Sequence, residues 1–287
     1  MAYNLVDALN ALDSSPGSAR LIAGGTDLLL DLQQGRCPPI QTLVDITQVP
    51  ELCKLEIRQE SLYIGAAVPL GVLTTSTLVQ YHATALYQAC RLVGGPQVRN
   101  TATLGGNVAH ALPAGDGSIA LLALDTKAEI ISSQGSKVTP LSDLYLGPGK
   151  SALVTGHEIL VGFYLPLRQA GEGSAFRRIM RPQGVALPIL NMAIWLHTHN
   201  DTIADVRIAV GPAGAVPYRA REVENSLSGQ RFEEEQTEVA IEMLLKYAHF
   251  RTSPQRGTAA YRRHLAGILL KETILAAWEN ATHGIHP

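Results

Sequence analysis

The chain has 287 residues, enough for two domains of ordinary size, and its 46% hydrophobic and 17% charged content excludes global disorder. Lys+Arg (23) and Asp+Glu (25) nearly cancel to a net charge of -2, and aromatic residues are 5%. That balance excludes the basic stripe and the base-stacking platform of a nucleic-acid binder. The three cysteines, Cys37, Cys53 and Cys90, form no C-x-x-C pair, zinc ribbon or iron–sulfur spacing. Their sparse, odd number fits a reducing, cytoplasmic compartment. The start, Met1-Ala2-Tyr3-Asn4, lacks the basic and apolar regions of a signal peptide. No apolar run reaches the ~18 residues of a membrane span. Redox or metal chemistry in this chain therefore requires a borrowed cofactor.

In chain order, Leu5, Ala8, Leu9 and Leu12 have helical spacing. Residues 19–23 read as a strand running into Gly24-Gly25-Thr26-Asp27, and residues 28–34 read as a helix stopped by Gly35 and Pro38. Strands are expected at 42–46 and 62–67, a helical stretch from Pro69, and a helical pattern over 87–93. Residues 103–117, rich in Gly, Ala and Pro, read as irregular backbone. Strands follow at 128–132 and 158–165. A composition shift over 168–174 marks a domain boundary. Beyond it, strands are expected at 175–180, 189–198 and 202–211, with His199-Asn200-Asp201 as a hairpin turn. Amphipathic helices are expected over 238–247 and 258–278, with Tyr261, Leu265, Ile268, Leu269 and Ile274 near one face.

Two glycine pairs carry the candidate chemistry. In Ala23-Gly24-Gly25-Thr26-Asp27-Leu28, a strand, a glycine turn and a helix start could present backbone N–H groups to a phosphate. Equally, Thr26 or Asp27 could simply cap the helix. In Thr103-Leu104-Gly105-Gly106-Asn107 a second pair is flanked by a hydroxyl and an amide, and Asp116 could accept from a sugar hydroxyl. A glycine-rich loop with an Asx-turn is the alternative. Together, the two pairs suit one ligand with a diphosphate and sugars held from two sides. Other motifs fail on spacing: Gly149-Lys150-Ser151 has Leu144 where a P-loop needs glycine, and neither G-x-G-x-x-A match, at Gly115 or Gly147, sits between a strand and a helix. His197 and His199 lack a third ligand, and Glu233-Glu234-Glu235 reads as a solvated helix start.

Taken together, Ala23-Gly24-Gly25-Thr26-Asp27-Leu28 and Thr103-Leu104-Gly105-Gly106-Asn107 resemble the paired FAD motifs of the flavoprotein (medium) subunits of molybdenum hydroxylases. These include bacterial xanthine and carbon monoxide dehydrogenases. Gly95-Pro96-Gln97-Val98-Arg99-Asn100, Gly147-Pro148-Gly149-Lys150, Glu158-Ile159-Leu160 and Ala259-Ala260-Tyr261-Arg262-Arg263 extend the resemblance along the chain.

The resemblance implies an α+β fold. A PCMH-type FAD-binding domain over 1–168, with α/β subdomains at about 1–55 and 56–168, would precede a smaller α+β C-terminal domain over 174–287 with a short antiparallel sheet. It implies FAD contacts at Leu21, Ile22, Ala23, Gly24, Gly25, Thr26, Asp27 and Leu28 around the pyrophosphate. It adds Thr103, Leu104, Gly105, Gly106 and Asn107 at phosphate and sugar, Asp116 at a sugar hydroxyl, and Val93, Leu160 and Arg177 near the adenine or flavin. The molybdopterin cofactor and two [2Fe-2S] clusters would lie on a large and a small partner subunit, in a dimer of heterotrimers. Electrons would pass from the clusters to FAD and on to NAD or another acceptor. No residue of this chain would act in substrate hydroxylation. Among the family's members the segments most resemble xanthine (purine) dehydrogenase subunits, with aldehyde, carbon monoxide and N-heterocycle dehydrogenases as alternatives. A free-standing flavin reductase is the rival of another class. Gln183-Gly184-Val185-Ala186 departs from the family, which often has an acidic residue where Ala186 stands. The cysteine-rich insertion of benzoyl-CoA-type relatives is missing.

Overall fold

The computed structural model describes residues 1–15, 17–181 and 187–283. Helix α1 (Leu5–Asp13) begins at Asn4, whose side chain accepts from the Asp7 N–H. It packs Ala8 and Leu12 on a two-stranded parallel sheet, β1 (Ala19–Ile22) beside β2 (Thr42–Asp45), with α2 (Leu28–Gln33) as the crossover. The apolar side chains of α1, β1 and β2 form one cluster with Leu52 and with Ile159 and Val161 from further along the chain.

A second unit is built on an antiparallel five-stranded sheet. Its strands are β3 (Leu55–Arg58), β4 (Ser61–Gly65), β5 (Lys127–Ser132), β6 (Gly135–Pro140) and, after the small hairpin β7 (Tyr145–Gly147) and β8 (Lys150–Ser151), β9 (Glu158–Pro166). The order is β3-β4-β9-β5-β6, so the last strand lies at the centre. Between β4 and β5 come the helices α3 (Leu70–Leu73), α4 (Thr77–His82), α5 (Thr84–Leu92), α6 (Pro96–Arg99), α7 (Leu104–Ala109) and α8 (Asp116–Ala123). Leu62, Ile64, Phe163 and Leu165 of the sheet meet Leu86, Ala89, Leu104 and Ile119 of these helices in one core.

The third unit is an antiparallel sheet in the order β10 (Glu172–Met180), β11 (Pro188–His199), β12 (Thr202–Gly211), β13 (Tyr218–Arg219). Its three main strands run 9–12 residues, and this is the antiparallel sheet expected of the second domain. Asn200 (φ 54°) makes the β11–β12 turn, where the hairpin signal placed it. Strand alternation sends Phe176, Ala193 and Ala209 into the core around α5 and α8. It sends Ala175, Met192, Ile194 and Ile208 against α9 (Arg221–Leu227), α10 (Glu234–Tyr247) and α11 (Ala259–Thr282). The result is four layers: sheet, helices, sheet, helices. Tyr261 and Ile268, expected near the buried face of α11, are 45% and 40% exposed; Leu265, Leu269 and Ile274 form that face.

The irregular backbone expected over 103–117 is corrected by α7 and the start of α8. Thr103 Oγ1 accepts from the Gly106 N–H (3.1 Å), a helix cap. Glycine costs helix stability, but a Cβ on Gly105 would stand 2.5 Å from the Ala66 carbonyl oxygen, so close packing on Ala66 requires it. Helix α8 is buried on every side between the two sheets, so its sequence has no amphipathic period to detect.

The two sheet units are tied by polar contacts. Ser174 Oγ accepts from the Ala85 N–H (3.1 Å) and Gln88 Oε1 from the Phe176 N–H (2.7 Å). Arg168 Nη2 donates to the Asn280 carbonyl (2.6 Å), and the Arg168 N–H donates to His82 Nδ1 (3.2 Å). Burial, reinforced by the Arg168 charge, holds the His82 imidazole below its usual pKa, which keeps Nδ1 an acceptor.

Candidate flavin site

The first glycine motif is the connection from β1 to α2. Leu21 and Ile22 end the strand, residues 23–27 turn, and Leu28 begins the helix. Gly25 has φ +66°, a left-handed conformation that glycine adopts without strain. Among the described residues, the N–H groups of residues 23–28 have no hydrogen-bond acceptor. Asp27 occupies the cap position of α2, yet its side chain makes no capping bond. The helix-cap reading of Thr26 and Asp27 therefore does not describe this turn. It presents half-exposed donors that an anion with several oxygens would satisfy.

The second motif behaves differently. The Gly105 N–H donates to the Ala66 carbonyl (2.9 Å), and the Gly106 N–H to Thr103 Oγ1. Thr103, Leu104 and Gly105 are buried, whereas Gly106 is exposed and Asn107 half-buried. Asn107 Oδ1 accepts from the Ser118 N–H (3.1 Å), so this side chain caps α8 from the neighbouring helix.

The two motifs meet through Gly24. A Cβ there would lie 2.6 Å from the Thr101 carbonyl carbon and 2.9 Å from Ala102 Cα, directly before Thr103. On the far side, His110 reaches both acids of the first turn and helix. Its Nδ1 lies 3.6 Å from Asp27 Oδ1, and its Nε2 3.6 Å from Asp31 Oδ2. Residues 29–102, between the motifs, thus fold so that one turn rests on the other. Free N–H donors, a left-handed glycine and an exposed Gly106 on the same seam fit a diphosphate bearing sugars.

Asp116 lies beyond Asn107, at the first position of α8, and is 5% exposed. Arg178 Nη1 donates to its Oδ2 (2.5 Å) and Asn191 Nδ2 to its Oδ1 (2.6 Å). Asn191 Nδ2 also reaches the Ala114 carbonyl (3.1 Å). Burial pushes the Asp116 carboxyl up, against the pull of Arg178 and Asn191. Both Asp116 oxygens are thus engaged by the third unit. On its two partners, Arg178 Nε and Asn191 Oδ1 are buried and have no hydrogen-bond partner among the described residues.

Of the remaining expected contacts, Val93 caps α5 and is half-buried, its carbonyl receiving Arg99 Nη1 (3.2 Å). Leu160 is 6% exposed within the core of the five-stranded sheet. Arg177 pairs in register with Met192, on the sheet face turned toward α11, and donates to the Phe176 carbonyl (3.2 Å). Its neighbour Arg178 is the arginine that faces Asp116. The structure therefore joins the two glycine motifs with Asp116 nearby, and sets Arg177 on the other side of the sheet. Arg178, Asn191 and His110 were not singled out in the sequence. Only strand alternation from Phe176 could have indicated Arg178. The departure at 183–186 lies outside the described residues. No group of three His, Cys, Asp or Glu side chains forms a metal site among the described residues, and none of their helices is long and apolar enough to cross a membrane.

Known proteins match along nearly the whole chain. Residues 1–168 match the FAD binding domain in molybdopterin dehydrogenase, and residues 174–277 the CO dehydrogenase flavoprotein C-terminal domain. The xanthine dehydrogenase FAD-binding subunit of Escherichia coli O157:H7 is 31% identical over 278 residues, covering 96% of this chain and 94% of that protein. The nicotine 6-hydroxylase medium subunit of Paenarthrobacter nicotinovorans is 33% identical over 275 residues, with coverage of 96% and 94%. Among solved structures, carbon monoxide dehydrogenase from Hydrogenophaga pseudoflava, described as lacking the Mo-pyranopterin moiety of the molybdenum cofactor, superposes with a TM-score of 0.91. It is 27% identical and covers 96% of this chain and 95% of that one. With the two glycine turns docked as described, the chain belongs to the FAD-binding medium subunits of the xanthine dehydrogenase and carbon monoxide dehydrogenase family, and is an oxidoreductase subunit.

Proposed function

We propose that this chain is the electron-relay subunit of a molybdenum-dependent hydroxylase whose substrate is an N-heterocycle of the xanthine (purine) type. The observation that carries the reading is the docking of one glycine turn on the other through Gly24, with unpaired N–H donors on the seam. In this reading residues 1–168 form the FAD-binding domain, with subdomains 1–55 and 56–168, and residues 174–287 the second domain. FAD, when bound, supplies a group that accepts electrons singly and releases them in pairs.

The chain's own residues do the binding and orienting. The N–H groups of residues 23–28 hold the diphosphate, and Gly25 lets it approach the backbone. Gly106 leaves room for phosphate and sugar, and Asp116 holds a sugar hydroxyl while Arg178 and Asn191 fix its rotamer. Leu160 and Val93 bound the apolar end. Partner subunits would carry the molybdopterin cofactor and two [2Fe-2S] clusters, in a cytoplasmic dimer of heterotrimers that delivers electrons to NAD. The xanthine and nicotine enzymes among the relatives both act on N-heterocycles, which supports this substrate class.

Affinity purification of the tagged chain from its native cells is the test. A large molybdenum-containing subunit and a small iron–sulfur subunit should co-purify, and the complex should reduce NAD with a purine substrate. A solitary chain that oxidises NADH rapidly by itself would replace this reading with the flavin reductase.

A further inference from the structure

Residues 243–271 contain no Asp or Glu, although the whole chain has two more acids than bases. Six cations fall in this stretch. Three are accounted for: Lys271 pairs with Glu234 and Glu238, Arg263 donates to the Leu245 carbonyl, and Lys246 lies over the Tyr247 ring. Arg251, Arg256 and Arg262 have no carboxylate partner among the described residues. They belong to one structural feature, the 251–257 loop and the first turns of α11. Two reciprocal bonds close the loop, Ser253 N–H to the Gly257 carbonyl (2.9 Å) and Gly257 N–H to the Ser253 carbonyl (3.0 Å). The Ala259 N–H then donates to Thr252 Oγ1 (3.1 Å), which folds the loop over the start of the helix.

Arg262 is the unusual member. It is 3% exposed, its Nη1 reaches into the loop to the Arg251 carbonyl (2.7 Å), and its buried Nε has no partner. A buried guanidinium without a counter-charge is costly. Desolvation, with Arg256 and Arg251 close by, accordingly pulls the Arg262 pKa down. The positive end of the 24-residue helix α11 adds to the same field.

We propose that the 251–257 loop and the start of α11 form a phosphate site, with Arg262 as its buried anchor and Arg251 and Arg256 closing over the anion. A carboxylate is satisfied by one forked arginine, whereas three guanidiniums close enough to raise one another's charging cost suit a dianion with three acceptor oxygens. The ligand class is thus inorganic phosphate or a phosphate monoester. The site is built by the C-terminal helices and shares no residue with the glycine turns.

Calorimetric titration of the full, FAD-supplemented chain with inorganic phosphate, at ionic strength matched with chloride, tests the site. One phosphate should bind per chain at sub-millimolar concentration. Arg251→Gln and Arg256→Gln, both in the surface loop, should each weaken it by at least about tenfold without unfolding the protein. Arg262→Lys should retain the fold and also weaken binding. Adenosine monophosphate in place of phosphate separates the sources: equal affinity indicates a free-phosphate site, tighter binding a monoester site. Absence of saturable binding would overturn the proposal. So would binding that persists in both loop variants but disappears in Gly25→Val, because the glycine turn would then be the phosphate's site.

Discussion

Gly24→Ala should separate the two glycine turns and abolish stable flavin binding. The added methyl has no space, because it would fall on the Thr101 carbonyl group and lie 2.9 Å from Ala102 Cα, and these are backbone atoms that no side-chain rotation can clear. Overpacking of this kind costs roughly 1–3 kcal/mol in stability. The flavin effect should be larger than that suggests, since the methyl acts at the contact that sets one turn against the other. Bound FAD after desalting should fall by more than about tenfold, a change of about 1.4 kcal/mol in binding. Gly214→Ala is the control, because its Cβ would meet only the Val216 carbonyl oxygen at 3.6 Å. Melting curves and flavin absorbance of the two variants, side by side, give the comparison. Equal flavin retention in both would remove Gly24 from the site.

Arg178→Leu should be the most destabilising single change at the junction of the two sheet units. The side chains of Arg178 and Asp116 are each 5% exposed, and among the described residues the arginine is the only charged partner of that carboxylate. Removing it leaves a buried carboxylate uncompensated, for which a loss of about 3–5 kcal/mol is expected. Asp116→Leu in the Arg178→Leu background should recover much of that loss, because both charges then disappear together. Flavin binding should not recover, since the sugar acceptor is still missing. Denaturant unfolding combined with FAD titration of the single and double variants reads both effects. Parallel recovery of stability and flavin affinity would confine Asp116 to a structural role.

The sequence announced the parts of the fold that have a periodic signal. Strand 202–211 and its Asn200 turn, the α10 helix after Glu233, and the glycine turn after residue 22 all lie where their patterns placed them. Helix α7 was hidden because Gly105 serves close approach to Ala66 rather than helix propensity. Helix α8 was hidden because burial on all sides erases the contrast between faces.

The same logic divides the site. The first glycine turn is legible because its function lies in its own backbone. Asp116 is legible as a residue that matters, but its partners, Arg178 and Asn191, lie more than 60 residues away on another sheet. Alternation from Phe176 separates Arg178 from Arg177, but no residue pattern marks which face of the strand meets Asp116. The packing of one sheet face on α5 and α8 decides which of the two meets the flavin-binding unit.

Flavin content of the purified wild-type chain tests the central claim most directly. Denaturation of a desalted, FAD-reconstituted sample should release close to one non-covalent FAD per chain, and Gly25→Val should release almost none. A colourless wild-type protein, or undiminished FAD in Gly25→Val, would contradict the account of two docked glycine turns as the flavin's seat.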